Sequence, residues 1–532
     1  MRPSRPLFAL IAGAGLGLIH LSVAIDVEWL SLSPGQSSLP PTIRIVLSLA
    51  ALCALIRIWL SAASLKLALA IGLMGGAGYY GVSLYWLGHA FLAPDEIYST
   101  KAFFGEAASM LLFVPWWVAA MGFATVVRPL LAAQSSIAAA LLWSVSMSIA
   151  DTLLADIAYQ IPLAPIASVL IDTPYDALIS GFGILGANFI LLAFAACLTC
   201  LLLNPSAYAV GALIASTVVP LVAPAPRLLS SPKGQAPVVS VVQPAGEQRI
   251  RPTYFDRASW MADLERGVRD AAAVHPSVIV LPELSLPYDP ALEMETDDLQ
   301  ALLEAVPQGT ALLFGYYSTE FDDETFSSMN RMVGWQQGRE VMAYDKAHLV
   351  PFGEFVPAPL ADLGFPVLTG PSSGLSSGQK IATWTLDTLP PFSVLICYEA
   401  LLTGAVWRET TDAEWLINAT SEVMLRDTLG PYLNLQYTRI RAVETGKPIF
   451  RAAATGWTSI IDSDGSILAA LPREVAGTLS NVIPDRRLTF FTVAGYYPLY
   501  LSWVACLLII AILGQRARRK VGREYAGRGR LI

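Results

Sequence analysis

Four of the five cysteines, Cys53, Cys197, Cys200 and Cys506, lie in apolar stretches, which leaves Cys397 alone in the polar middle of the chain. A lone thiol has no disulfide partner there. It is either a small core side chain at the end of an apolar strand or a nucleophile. A nucleophilic thiol needs one group to take its proton and another to hold the oxyanion formed when it attacks a carbonyl. Only His275 and His348 share this region, and His275, between a helical stretch and Pro276, reads as a surface residue. Carboxylates and a lysine are left as activators. They stand in three strings: Leu281-Pro282-Glu283-Leu284, the longer run Tyr344-Asp345-Lys346-Ala347-His348-Leu349-Val350-Pro351-Phe352-Gly353-Glu354-Phe355-Val356-Pro357, and Ile396-Cys397-Tyr398-Glu399.

Each reactive side chain sits at or just past the end of a predicted strand, where loops assemble a site on a rigid sheet. Strands are predicted at 238–242, 277–281, 310–317, 331–336, 341–345, 393–398, 414–419, 448–454 and 458–468, with helices at 260–274, 297–305 and 432–446. Near-continuous apolar runs such as Val278 to Leu281 and Val394 to Ile396 predict sheets covered on both faces. The expectation for 224–487 is a layered α/β domain. It carries 20 Lys and Arg against 32 Asp and Glu, a net charge of −12 that makes nucleic acid an unfit partner. Neither a His pair at ligand spacing nor a second thiol points to a metal, and no cofactor is implied.

The rest of the chain belongs to a bilayer. Hydrophobic residues make up 54% of the sequence, charged ones 14%, and mean hydropathy is +0.54, more than a water-soluble surface can carry. A hydrocarbon core of about 30 Å needs about 20 apolar residues per helix. Eight segments of that kind run at 7–25, 43–60, 67–91, 105–126, 132–150, 178–203, 205–223 and 489–513. The expected division is a membrane domain over 1–223 with about seven spans, a soluble domain over 224–487, a final span over 488–513 and a basic tail over 514–532. Alternate loops carry Arg57 and Lys66, then Arg128, and the tail carries Arg516, Arg518, Arg519, Lys520 and Arg523; the opposite loops are acidic. By the positive-inside rule both termini are cytoplasmic and the 224–487 domain is exported. Within the spans, His20, His89 and Asp151 sit near predicted ends, where interfacial or structural roles are expected.

The three strings together resemble the nitrilase superfamily, and within it the apolipoprotein N-acyltransferases, whose Lys motif also runs on into His-Leu-Val-Pro-Phe-Gly-Glu. The similarity extends over nearly the whole chain. Gly78-Tyr79-Tyr80-Gly81-Val82-Ser83-Leu84-Tyr85-Trp86 is similar to a Gly-Val-Ser-Trp region of that family, and Arg441-Ala442-Val443-Glu444-Thr445-Gly446-Lys447-Pro448 and Thr455-Gly456 match its pattern. The resemblance implies an α-β-β-α sandwich held outside the bacterial inner membrane, on the periplasmic or outer face, by a multi-spanning helical domain. It implies a Glu-Lys-Cys triad: Glu283 the general base, Lys346 the oxyanion donor that also lowers the thiol pKa, Cys397 the nucleophile. Glu354, Glu399 and Tyr398 are expected to support them. The implied reaction is ping-pong: an acyl chain passes from a phospholipid to the thiol and then to the N-terminal amine of an apolipoprotein.

Some positions depart from that pattern. Asn418-Ala419-Thr420-Ser421-Glu422-Val423-Met424-Leu425-Arg426 stands where the family shows Asn-Leu-Ser-Asn-Asp-Ala-Trp-Phe-Gly, Ala454 replaces an Asn, and Arg251-Pro252-Thr253-Tyr254 lacks a tryptophan. These changes fall where donor and acceptor contacts are expected. Two other readings therefore stay open from the residues: a membrane-tethered amidase or acyltransferase with another amine acceptor, and a non-catalytic assembly protein on the same scaffold.

Overall fold

The computed structural model describes residues 4–23, 39–91, 100–131, 135–158, 163–205, 226–229, 237–244, 257–292, 297–322, 325–357, 361–362, 367, 374–386, 389–425 and 428–528. The expected span at 205–223 and the Arg251 to Tyr254 string lie outside them. Among the described residues six helices are long and apolar enough to cross a membrane. They are α2 (Pro41–Leu60), α3 (Leu65–Ser83), α4 (Thr100–Leu130), α5 (Ser136–Thr152, prolonged by a π-turn), α6 (Ala177–Leu203) and the apolar first part of a long last helix; α1 (Arg5–Leu21) is shorter. Helix α3 ends earlier than expected, at Ser83, and the chain continues as a 3-10 turn over Tyr85–Phe91. Small residues let α1 and α3 approach backbone to backbone, since a Cβ at Gly78 would strike the carbonyl of Leu10.

Two six-stranded sheets follow. The first runs in the order β13 (Gly477–Val482), β2 (Val238–Gln243), β3 (Val278–Val280), β4 (Ala311–Asp322), β5 (Thr325–Gln336), β6 (Arg339–Asp345). The second runs β12 (Ile467–Ala470), β11 (Ser459–Ile461), β10 (Ile449–Ala453), β9 (Trp415–Thr420), β8 (Phe392–Ile396), β7 (Thr383–Trp384). Strands β2, β3 and β4 are mutually parallel, as are β8, β9 and β10. Because side chains alternate along a strand, Val278 and Val280 of β3 enter the core shared with Val394, Ile417 and Phe450, whereas Ile279 faces α7 (Arg257–Ala272) with Trp260, Leu264 and Val268. Helix α8 (Asp297–Glu304) covers the same outer face through Leu302. On the second sheet's other side lies α10 (Gly430–Thr445), after the short α9 (Thr403–Glu409). The layers are the expected α-β-β-α sandwich. The stretch expected as one strand over 458–468 is the β11–β12 hairpin, turned at Asp462 to Ser466.

The chain leaves the sandwich through β14 (Arg486–Leu488), which pairs with β1 (Arg227–Leu229), and the one-turn helix α11 (Phe490–Ala494). The last helix, α12, begins at Tyr497, after a break at Gly495, rather than at 489. Sandwich and membrane helices are joined by polar contacts. At Gly183 (φ +67°) α6 kinks, and the freed amide of Ile184 donates to the carboxylate of Glu444 on α10. That carboxylate also accepts from Thr403 and Arg441. Arg439 pairs with Asp172 and Arg408 with Asp156. The Tyr437 hydroxyl meets the amide of Ala164 (2.8 Å) and His20 Nε2 (3.2 Å), and Ser168 holds His20 Nδ1 at 3.0 Å. Asp151 accepts from Asn188. Both thus take structural positions; the side chain of His89 lies outside the described set.

Candidate active site

Three strand ends converge. Glu283 follows β3 by three residues, Lys346 follows β6 directly and Cys397 follows β8 directly. The ends used on β3 and β8 are the carboxyl ends of parallel strands, where α/β sheets open a crevice. Cys397 opens a 3-10 turn with φ +50°, and Leu284, just after Glu283, has φ +52°. Non-glycine residues at positive φ are uncommon and cluster at functional sites.

Lys346 is 1% exposed and Glu283 5%. The ammonium donates to Glu354 Oε1 at 2.7 Å and lies 3.6 Å from Glu283 Oε1. One buried cation therefore sits between two buried carboxylates beside a thiol. Burial opposes the charge on Lys346, but Glu354 and Glu283 outweigh it and hold the pKa above the usual lysine range. Burial raises the pKa of Glu283; Lys346 pulls it back, Glu354 pushes it up, and the net is upward. The Cys397 thiol is pushed up to about 12, by burial first and then by Glu283, with Lys346 opposing. The sequence expectation that Lys346 lowers the thiol pKa is right for that single interaction and not for the sum. At rest the sulfur is a neutral thiol, so its proton must leave as it attacks.

Glu283 is aimed from both sides: Asn330 Nδ2 donates to Oε1 at 2.8 Å and the Ser421 amide to Oε2 at 2.8 Å. The carbonyl of the same Asn330 accepts from the Lys346 amide at 2.9 Å, so one β5 residue sets the spacing of base and cation. Glu354 Oε2 accepts from the Val350 amide, closing the loop that carries both. Glu399 does not reach the ammonium. It takes the Tyr344 hydroxyl (2.6 Å), the Ala347 and His348 amides (2.9 and 3.1 Å) and the Ile396 amide (2.7 Å), clasping the lysine loop to the strand that ends in the thiol. Tyr398 is buried, and its phenol is held above the usual range by burial, partly offset by Lys346. His348 faces Glu409 at 3.2 Å, away from the cluster.

Asn330 gave no sequence signal, standing mid-strand without a motif. Tyr317 is a second such residue: burial first, then the carboxylates of Glu283 and Glu354, push its phenol above the usual range. Glu422 is locked inward, accepting from Arg451 (2.6 Å) and Asn434 (2.7 Å). Leu425 and Trp86 of the membrane domain both flank Gly430. Ala454 is fully buried behind the first sheet. Arg441 and Glu444 sit at the α6 contact, not in the cluster.

A family model described as carbon-nitrogen hydrolase matches residues 238–488. The "Apolipoprotein N-acyltransferase" of Rhodopseudomonas palustris is 30% identical over 438 residues, 77% of this chain and 79% of that protein. The protein of the same name from Agrobacterium fabrum is 26% identical over 489 residues, 84% of this chain and 85% of that one. Among solved structures, a mutant amidase of the nitrilase superfamily from Nesterenkonia AN1 is 16% identical, covering 51% of this chain and 98% of that one with a TM-score of 0.34.

Proposed function

Because the chain belongs to the apolipoprotein N-acyltransferase family, we propose that Glu283, Lys346 and Cys397 are the triad with which it moves an acyl chain from a phospholipid to the N-terminal amine of a lipid-modified cysteine. The observation that carries this reading is the buried cluster itself, a cation held between two carboxylates where the strand bearing Cys397 ends. As the sulfur attacks the ester carbonyl of the donor, its proton passes to Glu283. Negative charge gathers on the carbonyl oxygen, and Lys346 stabilises it. Collapse breaks the bond to the glycerol oxygen, which takes the proton from Glu283 and leaves as lysophospholipid. In the second half the acceptor amine attacks the thioester and gives a proton to Glu283. The tetrahedral adduct then expels the sulfur, which recovers the proton. Every step balances with the donor, the acceptor and these three side chains.

Two further observations support the placement of the reaction. Leu425, after β9, flanks Gly430 together with Trp86 of the 3-10 turn that follows a helix apolar enough to cross the bilayer, which supports entry of a lipid acyl chain from the membrane side. The basic residues after the last span and the acidic loops argue for cytoplasmic termini and a catalytic region on the outer face of the bacterial inner membrane.

The test is an acyl adduct. Full-length protein in detergent, given phosphatidylethanolamine, should gain one acyl mass on Cys397 and lose it when a diacylglyceryl-cysteine peptide is added; Cys397→Ala should gain none. A folded preparation that forms no adduct overturns the reading.

A further inference from the structure

A small polar cavity lies at the opposite end of the strands of the second sheet from Cys397, before the start of β10. It has a volume of about 160 Å³ and is lined by Lys447, Arg486, Arg487 and Thr411 together with Trp407 and Val493. Lys447 precedes β10 by two residues, and the residue of β10 that lies alongside the end of β8 is Ala452. At about 3.3 Å per residue Lys447 is roughly 17 Å from the thiol along the strand direction alone, so the cavity is not part of the acyl-transfer site.

Its charge is unbalanced. Lys447 is 5% exposed, yet its ammonium donates only to the carbonyl and hydroxyl of Thr410, and no carboxylate among the described residues forms an ion pair with it. Burial first and then Arg486 push its pKa down to about 7 against Asp412 and Glu414, so a bound anion is what would keep it fully protonated. The Arg486 side chain has neither a hydrogen bond nor an ion pair among the described residues. Arg487 is neutralised by Asp464 at 2.7 Å, but its Nε is buried without an acceptor. A buried cation is normally paired, so Lys447 without a carboxylate, beside a partly buried Arg486 that is also unpaired, calls for an anion. The other wall says where that anion comes from. Val493, 69% exposed, and Leu488, 43% exposed, line the rim, and Trp407 packs on Phe491 and Tyr496 where the chain turns into its last apolar helix. Aromatic rings at the end of a span mark headgroup level.

We propose that this cavity holds the phosphate of an anionic membrane lipid, fastening the sandwich to the leaflet away from its reaction centre. The catalytic region is net negative and would otherwise be repelled by an anionic surface. The proposal rests on the attachment of the sandwich to the membrane and is independent of acyl transfer.

Native mass spectrometry of the full chain from micelles holding equal phosphatidylglycerol and phosphatidylethanolamine provides the test. The wild type should retain phosphatidylglycerol. Arg486→Gln, chosen because Arg486 is only partly buried, should retain roughly fivefold less, and Arg486→Lys should restore most of it. Lys447→Met should lower retention further; if it fails to fold, the Arg486 pair still decides. Equal retention by wild type and Arg486→Gln overturns the proposal, as does equal retention of the two lipids. Inorganic phosphate should displace the retained lipid; phosphate binding without any lipid retention would overturn the lipid as its source.

Discussion

At the scale of single residues, the electrostatics of Glu283 fix two expectations. The carboxylate must be ionised to take the thiol proton, and its pKa lies above the ordinary range, because burial and Glu354 outweigh Lys346. Acylation of Cys397 should therefore fall with decreasing pH along a limb above about 4.3, the unperturbed value. Asn330→Leu removes a donor to the ionised form and should move that limb to still higher pH; an unmoved limb in the pH–rate profile would refute the assignment. The same shift has a cost in stability. A carboxylate whose folded pKa exceeds its unfolded one contributes stability below the unfolded pKa and loses it as pH rises through the folded value. Glu283→Gln should thus raise the thermal midpoint near pH 7 while abolishing adduct formation, and the gain should shrink toward about pH 4. Glu354→Gln should instead cost about 10²- to 10³-fold in acylation, since Lys346 loses its closest counter-charge. The proposed triad was legible because each member stands at or just past a predicted strand end, in strings that resemble the nitrilase pattern. Asn330 and Tyr317 were not, because a polar residue inside a strand takes its meaning from what lies across the sheet.

At the scale of elements, α10 is the piece on which two parts of the molecule depend. Its Glu444 answers a side chain of α9, its own Arg441 and the amide of Ile184 in α6. Glu444→Ala leaves a buried guanidinium and a buried amide without their acceptor and should destabilise the protein by about 3–5 kcal/mol, read by thermal unfolding in detergent. A loss under 1 kcal/mol would mean the contact is incidental. Long elements were readable from sequence: helices α7, α8 and α10 and the strands that carry the site lie within a few residues of their predicted places. The misses share a cause. Helix α9 is only seven residues, too short to show a period, and β13, Gly-Thr-Leu-Ser-Asn-Val, alternates weakly at the sheet edge. The strand predicted over 458–468 hid a turn at Ser463-Asp464-Gly465, where Gly465 takes φ +81°.

At the scale of the whole molecule, the sandwich is not a passenger on its helices. Arg408, Tyr437, Arg439 and Glu444 all find partners in the membrane region, so an isolated 226–488 fragment would expose a half-neutralised polar face. That fragment should be markedly less stable than the full chain and form no adduct with micellar phosphatidylethanolamine; a stable, acylating fragment would contradict this picture. None of these contacts was visible in the sequence, because each joins residues more than 200 positions apart and follows no spacing rule. The kink at Gly183 also carries a clock. Ile184 and its acceptor are 260 residues apart, and at about 5–20 residues per second a ribosome needs roughly 10–50 seconds to deliver Glu444 after Ile184 has emerged. Through that interval a nascent helix sits in the bilayer with an open rung in its ladder. A chain truncated before α10 never closes it.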